Sequence, residues 1–99
     1  MKVKIQSIHF DADVKLLQFV EEKVDKLGHF YNEIIGSEVF LKLDKNSNTE
    51  NKVAEIKLHI PGNDLFVKKQ CKTFEEATDT AVEALTRQLK KHKEKVKGL

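Results

Sequence analysis

Between Thr73 and Leu99 the chain has no proline and no glycine before Gly98, and its apolar residues recur as Phe74, Ala77, Ala81, Val82, Leu85, Leu89 and Val96. That spacing, close to one apolar residue per helical turn, predicts a single long helix with one apolar seam. Thr73, followed at the third position by Glu76, has the form of a capping box that satisfies free N–H groups of the first turn. A helix of this kind is not stable alone, so the rest of the chain has to supply a platform that covers the seam.

The preceding residues read as that platform. Val3 and Ile5 alternate with Lys4 and Gln6, and the phase then shifts to Ile8 and Phe10, which predicts a first strand with an irregularity near Ser7. Asp11 and Asp13 can each cap a helix; Asp13 is better placed, because Leu16, Leu17, Val20, Val24 and Leu27 then line one side. Gly28 either ends this helix or weakens it. Val39, Leu41 and Leu43 alternate with polar neighbours in a second strand, and Asn46 to Asn51 form a polar hairpin loop. Ala54, Ile56, Leu58 and Ile60 alternate with Glu55, Lys57 and His59 in the clearest strand of the chain, which Pro61-Gly62-Asn63-Asp64 must end in a turn. A fourth strand places Leu65, Val67, Lys69 and Cys71 on one face and Phe66, Lys68, Gln70 and Lys72 on the other.

The order is β-α-β-β-β-α. Strands two to four have short connections and form an antiparallel meander, the first strand joins its edge, and both helices cover the one apolar face. The fold class is α+β, a two-layer sandwich of a four-stranded sheet with two helices on one face, like a double-stranded-RNA-binding domain. Ninety-nine residues without repeat, linker or low-complexity segment make one domain, 1–99.

The last helix has two electrically different halves. Up to Thr86 its ionisable residues are Glu75, Glu76, Asp79 and Glu83; from Arg87 onward they are Arg87, Lys90, Lys91, Lys93, Lys95 and Lys97 against Glu94, with His92 besides. The formal net charge of the chain is only +2, so any electrostatic role rests on this distribution and not on the total. Two readings fit. Acids at the start and bases at the end complement the helix dipole, but that effect fades within a turn and accounts for Arg87 and Lys90 less well. Alternatively, the repulsion among the cations is relieved by a polyanion such as nucleic acid. Lys23 and Lys26 extend the basic surface if the two helices pack side by side. For Lys68 and Lys72 ordinary solvation is the better account.

Other chemistry finds little support. A hydrophobic fraction of 39% argues against disorder, and the single cysteine, Cys71, excludes an internal disulfide and fits a reducing cytoplasm. Lys69 and Lys72 are near enough in sequence to lower the Cys71 pKa, although a small residue filling the interface is the better reading. His9, His29, His59 and His92 are scattered, and none stands at metal-ligand spacing from Cys71. Gly28, Gly36, Gly62 and Gly98 form no phosphate loop, and no nucleophile elbow appears. We therefore expect no enzyme, no metal, no cofactor and no small-molecule substrate. The N-terminus shows no signal-peptide pattern and no segment approaches membrane-spanning length, so a cytoplasmic protein without a membrane partner is expected.

Two segments carry a resemblance. Arg87-Gln88-Leu89-Lys90-Lys91-His92-Lys93-Glu94-Lys95 resembles the terminal run, and Phe19-Val20-Glu21-Glu22-Lys23-Val24-Asp25-Lys26-Leu27 the first-helix pattern, of the short ribosome hibernation-promoting factors and ribosome-associated inhibitors, formerly grouped as sigma-54 modulation proteins. The resemblance implies a domain that sits on the 30S ribosomal subunit near the decoding site, contacts 16S ribosomal RNA, and blocks translation by occluding messenger and transfer RNA positions. It implies RNA-binding roles for Lys23, Lys26, Arg87, Lys91, Lys93 and Lys95, and Lys90 adds to the patch where the family commonly has an uncharged residue. The pattern departs at Thr73-Phe74-Glu75-Glu76-Ala77-Thr78-Asp79, with Glu75 in a tyrosine position and Thr78 in an isoleucine position. The resemblance to the short forms leads us to expect no dimerising C-terminal domain after Leu99 and to count 70S and 100S ribosomes among the candidate partners, with help in forming ribosome dimers expected to depend on a partner the sequence does not show. Two other classes stay open: a protein-interaction regulator of a sigma factor, and a general structured-RNA-binding module.

Overall fold

The strict alternation after Asn51 builds the centre of the molecule. In the computed structural model, which describes residues 1–46 and 49–96 and side chains up to Glu94, a strand at Lys52–Ile60 buries Ala54, Ile56, Leu58 and Ile60 on one side. In chain order the elements are β1 (Lys2–Ile8), α1 (Val14–Phe30), β2 (Gly36–Leu43), β3 (Lys52–Ile60), β4 (Asn63–Cys71) and α2 (Phe74–Val96). The four strands form one sheet in the order β1-β2-β3-β4, with β1 parallel to β2 and the remaining pairs antiparallel. This is the expected β-α-β-β-β-α sandwich.

Two details depart from expectation. The β1–β2 ladder runs unbroken from Lys2↔Gly36 to Ile8↔Lys42, so there is no irregularity at Ser7. The change of phase falls beyond the strand, at His9, whose φ of 64° puts a non-glycine residue in the left-handed region. That corner delivers Phe10 onto Phe74, with ring centroids 5.0 Å apart and planes 3° from parallel. Gly28 does not end α1, which continues to Phe30.

Local chemistry sets the other boundaries. Asp13 caps α1 by accepting from Leu16 N–H at 2.8 Å. Thr73 Oγ1 accepts from Glu76 N–H at 3.0 Å, which is the half of the capping box that forms among the described residues. Gly62, at φ 77°, takes the left-handed second position of the two-residue Pro61-Gly62 turn between Ile60 and Asn63. At the β2 end, Asp44 accepts from Asn46 N–H at 2.9 Å and from the Gln70 amide at 2.8 Å. These bonds hold its carboxyl below the usual carboxylate range, the Asn46 N–H contributing most.

The core lies between the sheet and the helices. Val20, Val24 and Leu27 of α1 and Phe74, Ala77, Ala81, Leu85 and Leu89 of α2 pack on Val39, Leu41, Ile56, Leu58 and Val67. Cys71 belongs to this layer. Burial pushes its thiol up, the Thr80 hydroxyl opposes that shift, and the Glu76 carboxylate adds to it. Cys71 therefore fills the interface between sheet and helices, as its size suggested, and the lowering that Lys69 and Lys72 could have produced does not occur, desolvation being the largest influence on its thiol. The opposite face of the sheet carries mixed charge, in rows such as Lys4, Glu38, Lys57 and Phe66, and Gln6, Phe40, Glu55 and Lys68.

Candidate nucleic-acid interface

The direction of the strands decides where the basic residues meet. Because α1 joins two parallel neighbours, it runs against β1 and β2; β4 points the same way as those two, and α2 returns along it. Hence α1 and α2 run in the same direction, side by side, and both C-terminal ends lie at one end of the helical layer. The side-by-side packing on which the contribution of Lys23 and Lys26 depended is therefore present.

Contacts between the helices follow that alignment. Lys23 Nζ lies 3.3 Å from Asp79 Oδ1, in the acidic half of α2, and 5.5 Å from the centroid of the Phe19 ring. Asp79 and Lys93 are about four turns apart on α2 and so face the same side, towards α1. At the far end Lys93 Nζ donates to the Phe30 carbonyl at 3.1 Å and stands 4.7 Å from the Phe30 ring centroid and 5.6 Å from that of Tyr31. His92 meets the Tyr31 ring edge-on at 5.9 Å. Tyr31 in turn donates to Glu33 Oε2 at 3.0 Å, and burial, reinforced by that carboxylate, raises its phenol pKa.

The remaining cations behave differently. Lys26, Arg87, Lys90 and Lys91 are exposed, and among the described residues none of them makes an ion pair. Their charge is available to an external anion. Lys95 is within α2, but its side chain lies outside the described residues, as do Lys97 and Gly98 entirely. The acids Glu75, Glu76 and Glu83 are exposed on the other half of α2. The arrangement therefore has four open cations, one cation paired across the helices, and one drawn into an aromatic corner. Sequence reasoning grouped all of them as one patch. The Phe30-Tyr31 pair at the end of α1 was the signal that Lys93 has a different environment.

The family model described as "Sigma 54 modulation protein / S30EA ribosomal protein" matches residues 3–97. The chain belongs to that family. Among similar proteins, a ribosome hibernation promoting factor of Pseudomonas putida is 32% identical over 99 residues, covering 100% of this chain and 93% of its own length. One of Escherichia coli K12 is 29% identical over 97 residues, covering 98% of each. A ribosomal subunit interface protein from Coxiella burnetii has the same fold, with a TM-score of 0.83 at 18% identity over 94% of this chain and 98% of its own. The N-terminal domain of Protein Y from Thermus thermophilus does so at a TM-score of 0.78 and 24% identity, over 93% and 99%. Among the described residues of this family member, no group of His, Cys, Asp and Glu could hold a metal ion, and no helix is long and apolar enough to cross a membrane.

Proposed function

We propose that this protein is a cytoplasmic ribosome hibernation factor that binds the small ribosomal subunit through 16S ribosomal RNA near the decoding site and silences translation by occupying messenger and transfer RNA positions. The observation that carries the reading is the set of exposed cations Lys26, Arg87, Lys90 and Lys91, which make no ion pair among the described residues and lie on the C-terminal halves of two helices that run the same way. Its family membership and the names of its relatives support it. No chemical step is required, because occupancy alone excludes competing ligands. Lys95 adds to the contact surface, and Lys23 joins it by exchanging Asp79 for phosphate; this exposed pair holds it only weakly.

Each neutralised phosphate contributes about −0.7 to the slope of log affinity against log salt for single-stranded nucleic acid, and somewhat more for duplex. Six contacts therefore give a slope near about −4 for binding to purified small subunits. Substituting Arg87, Lys91 and Lys95 by Gln reduces the slope by about 2 while leaving the thermal midpoint nearly unchanged. Affinity that does not vary with salt overturns the proposal. The family's description as a sigma 54 modulation protein supports a second reading, a protein-interaction regulator. That reading requires co-purification with polymerase components and sedimentation indifferent to ribonuclease, which a sucrose gradient of stationary-phase lysate decides.

A further inference from the structure

We infer that Lys93, unlike its basic neighbours, is a positioning residue: it clamps the end of α2 to the end of α1 and so fixes where Lys90 and Lys91 meet the RNA. The inference rests on the reading of those residues as RNA contacts. Phe30 is the last residue of α1, and its carbonyl is one of the four at a helix end with no acceptor role inside the helix. The Lys93 ammonium supplies the missing donor at 3.1 Å and places its charge at the negative end of the α1 dipole. It also lies over two aromatic rings, those of Phe30 and Tyr31, at 4.7 and 5.6 Å from their centroids. Three favourable partners surround one cation. To reach a phosphate Lys93 has to abandon them all, whereas Arg87, Lys90 and Lys91 have no ion-pair partner to give up among the described residues.

The location gives the clamp a purpose. Leu89 is the last α2 residue in the hydrophobic core among those described, so the turns that follow are held by other means. Among the described residues, His92 on Tyr31 and Lys93 on Phe30 and Tyr31 fasten them to the body. Lys90 and Lys91 stand between Leu89 and this fastening. Without it the last turns fray, and binding must then also supply the ordering of two long side chains and their backbone.

The test compares Lys93→Gln, Lys93→Arg and Lys91→Gln with the unaltered chain, by titrating each against purified small subunits across a salt series and by hydrogen exchange of the free protein. Lys91→Gln is expected to weaken binding and flatten the salt slope by about 0.7, because one phosphate contact is lost. Lys93→Gln is expected to weaken binding about three- to tenfold with its slope unchanged, and to speed exchange of the amides after Leu89. Lys93→Arg, which keeps the charge and stacks on rings, restores both. A Lys93→Gln slope that flattens as much as that of Lys91→Gln makes Lys93 a phosphate contact and overturns the inference. Unchanged affinity or unchanged exchange in Lys93→Gln also overturns it. Salt-independent binding by the unaltered chain instead removes the RNA reading itself, an outcome that the exchange measurement keeps distinct.

Discussion

Thr78 sits in α2 with no exposed surface, and its hydroxyl oxygen has no hydrogen-bond partner among the described residues. Two other threonines of α2 satisfy theirs by bonding back along the helix, Thr80 to the Glu76 carbonyl and Thr86 to the Val82 carbonyl, both at 2.8 Å. Thr78 has no such bond, so folding removes its hydroxyl from water without replacement, at a cost of about 1 to 3 kcal/mol. Thr78→Val keeps the β-branched shape, and the two residues have nearly equal helix propensity, so strain and backbone terms nearly cancel. The substitution should therefore stabilise the protein by about 1 to 2 kcal/mol, which for a domain of this size is a rise of very roughly 5 to 15 °C in Tm. Urea unfolding followed by circular dichroism should show a higher midpoint with an unchanged m-value. Ribosome binding should not change, because Thr78 is inaccessible. A lowered midpoint refutes the reasoning, since it means that the hydroxyl has a partner in solution that valine cannot replace. Ser37, also buried with an unpartnered hydroxyl, offers a second trial of the same principle on β2.

Two further outcomes follow from features of the fold. Removing either helix cap, by Asp13→Ala or Thr73→Ala, should cost about 1 kcal/mol in urea unfolding, and a loss indistinguishable from zero contradicts the capping roles. Cys71 and Tyr31 both have folded pKa values above their ordinary ones, so their contribution to stability is complete below the unfolded thiol value and is lost as pH rises through the folded values. The urea midpoint should accordingly fall as pH rises above about 8, less steeply in Cys71→Ala, and native Cys71 should react slowly with thiol reagents until urea exposes it. Rapid labelling in buffer rules this out.

The architecture was legible because it depends on period and punctuation. Ala54 to Ile60 alternate without exception, Pro61-Gly62 allows one turn, and Asp13 and Thr73 announce their helices through short-range hydrogen bonds. The phase shift after Ser7 was visible but was placed too early, since alternation alone cannot tell a bulge inside a ladder from a corner just beyond it. Only the His9 backbone resolves the two. The basic residues were likewise legible as a set, but not their individual fates. That Asp79 lies against Lys23, and Phe30 and Tyr31 against Lys93, depends on how two helices sixty residues apart are aligned, which no local pattern encodes. Cys71 was legible as a small residue filling the interface, whereas the upward direction of its thiol pKa depends on a depth of burial that its charged sequence neighbours do not give.

Because the two helices point the same way, their backbone dipoles add, and on α2 the carboxylates near its start and the ammonium groups of its second half are separated along that same axis. Near a highly charged polymer such a body experiences a torque before any contact is made, and it turns its cationic pole inward once it comes within about a Debye length, roughly 30 Å in dilute salt. Productive encounters then do not depend on random tumbling, and raising the ionic strength should slow association more than it hastens release.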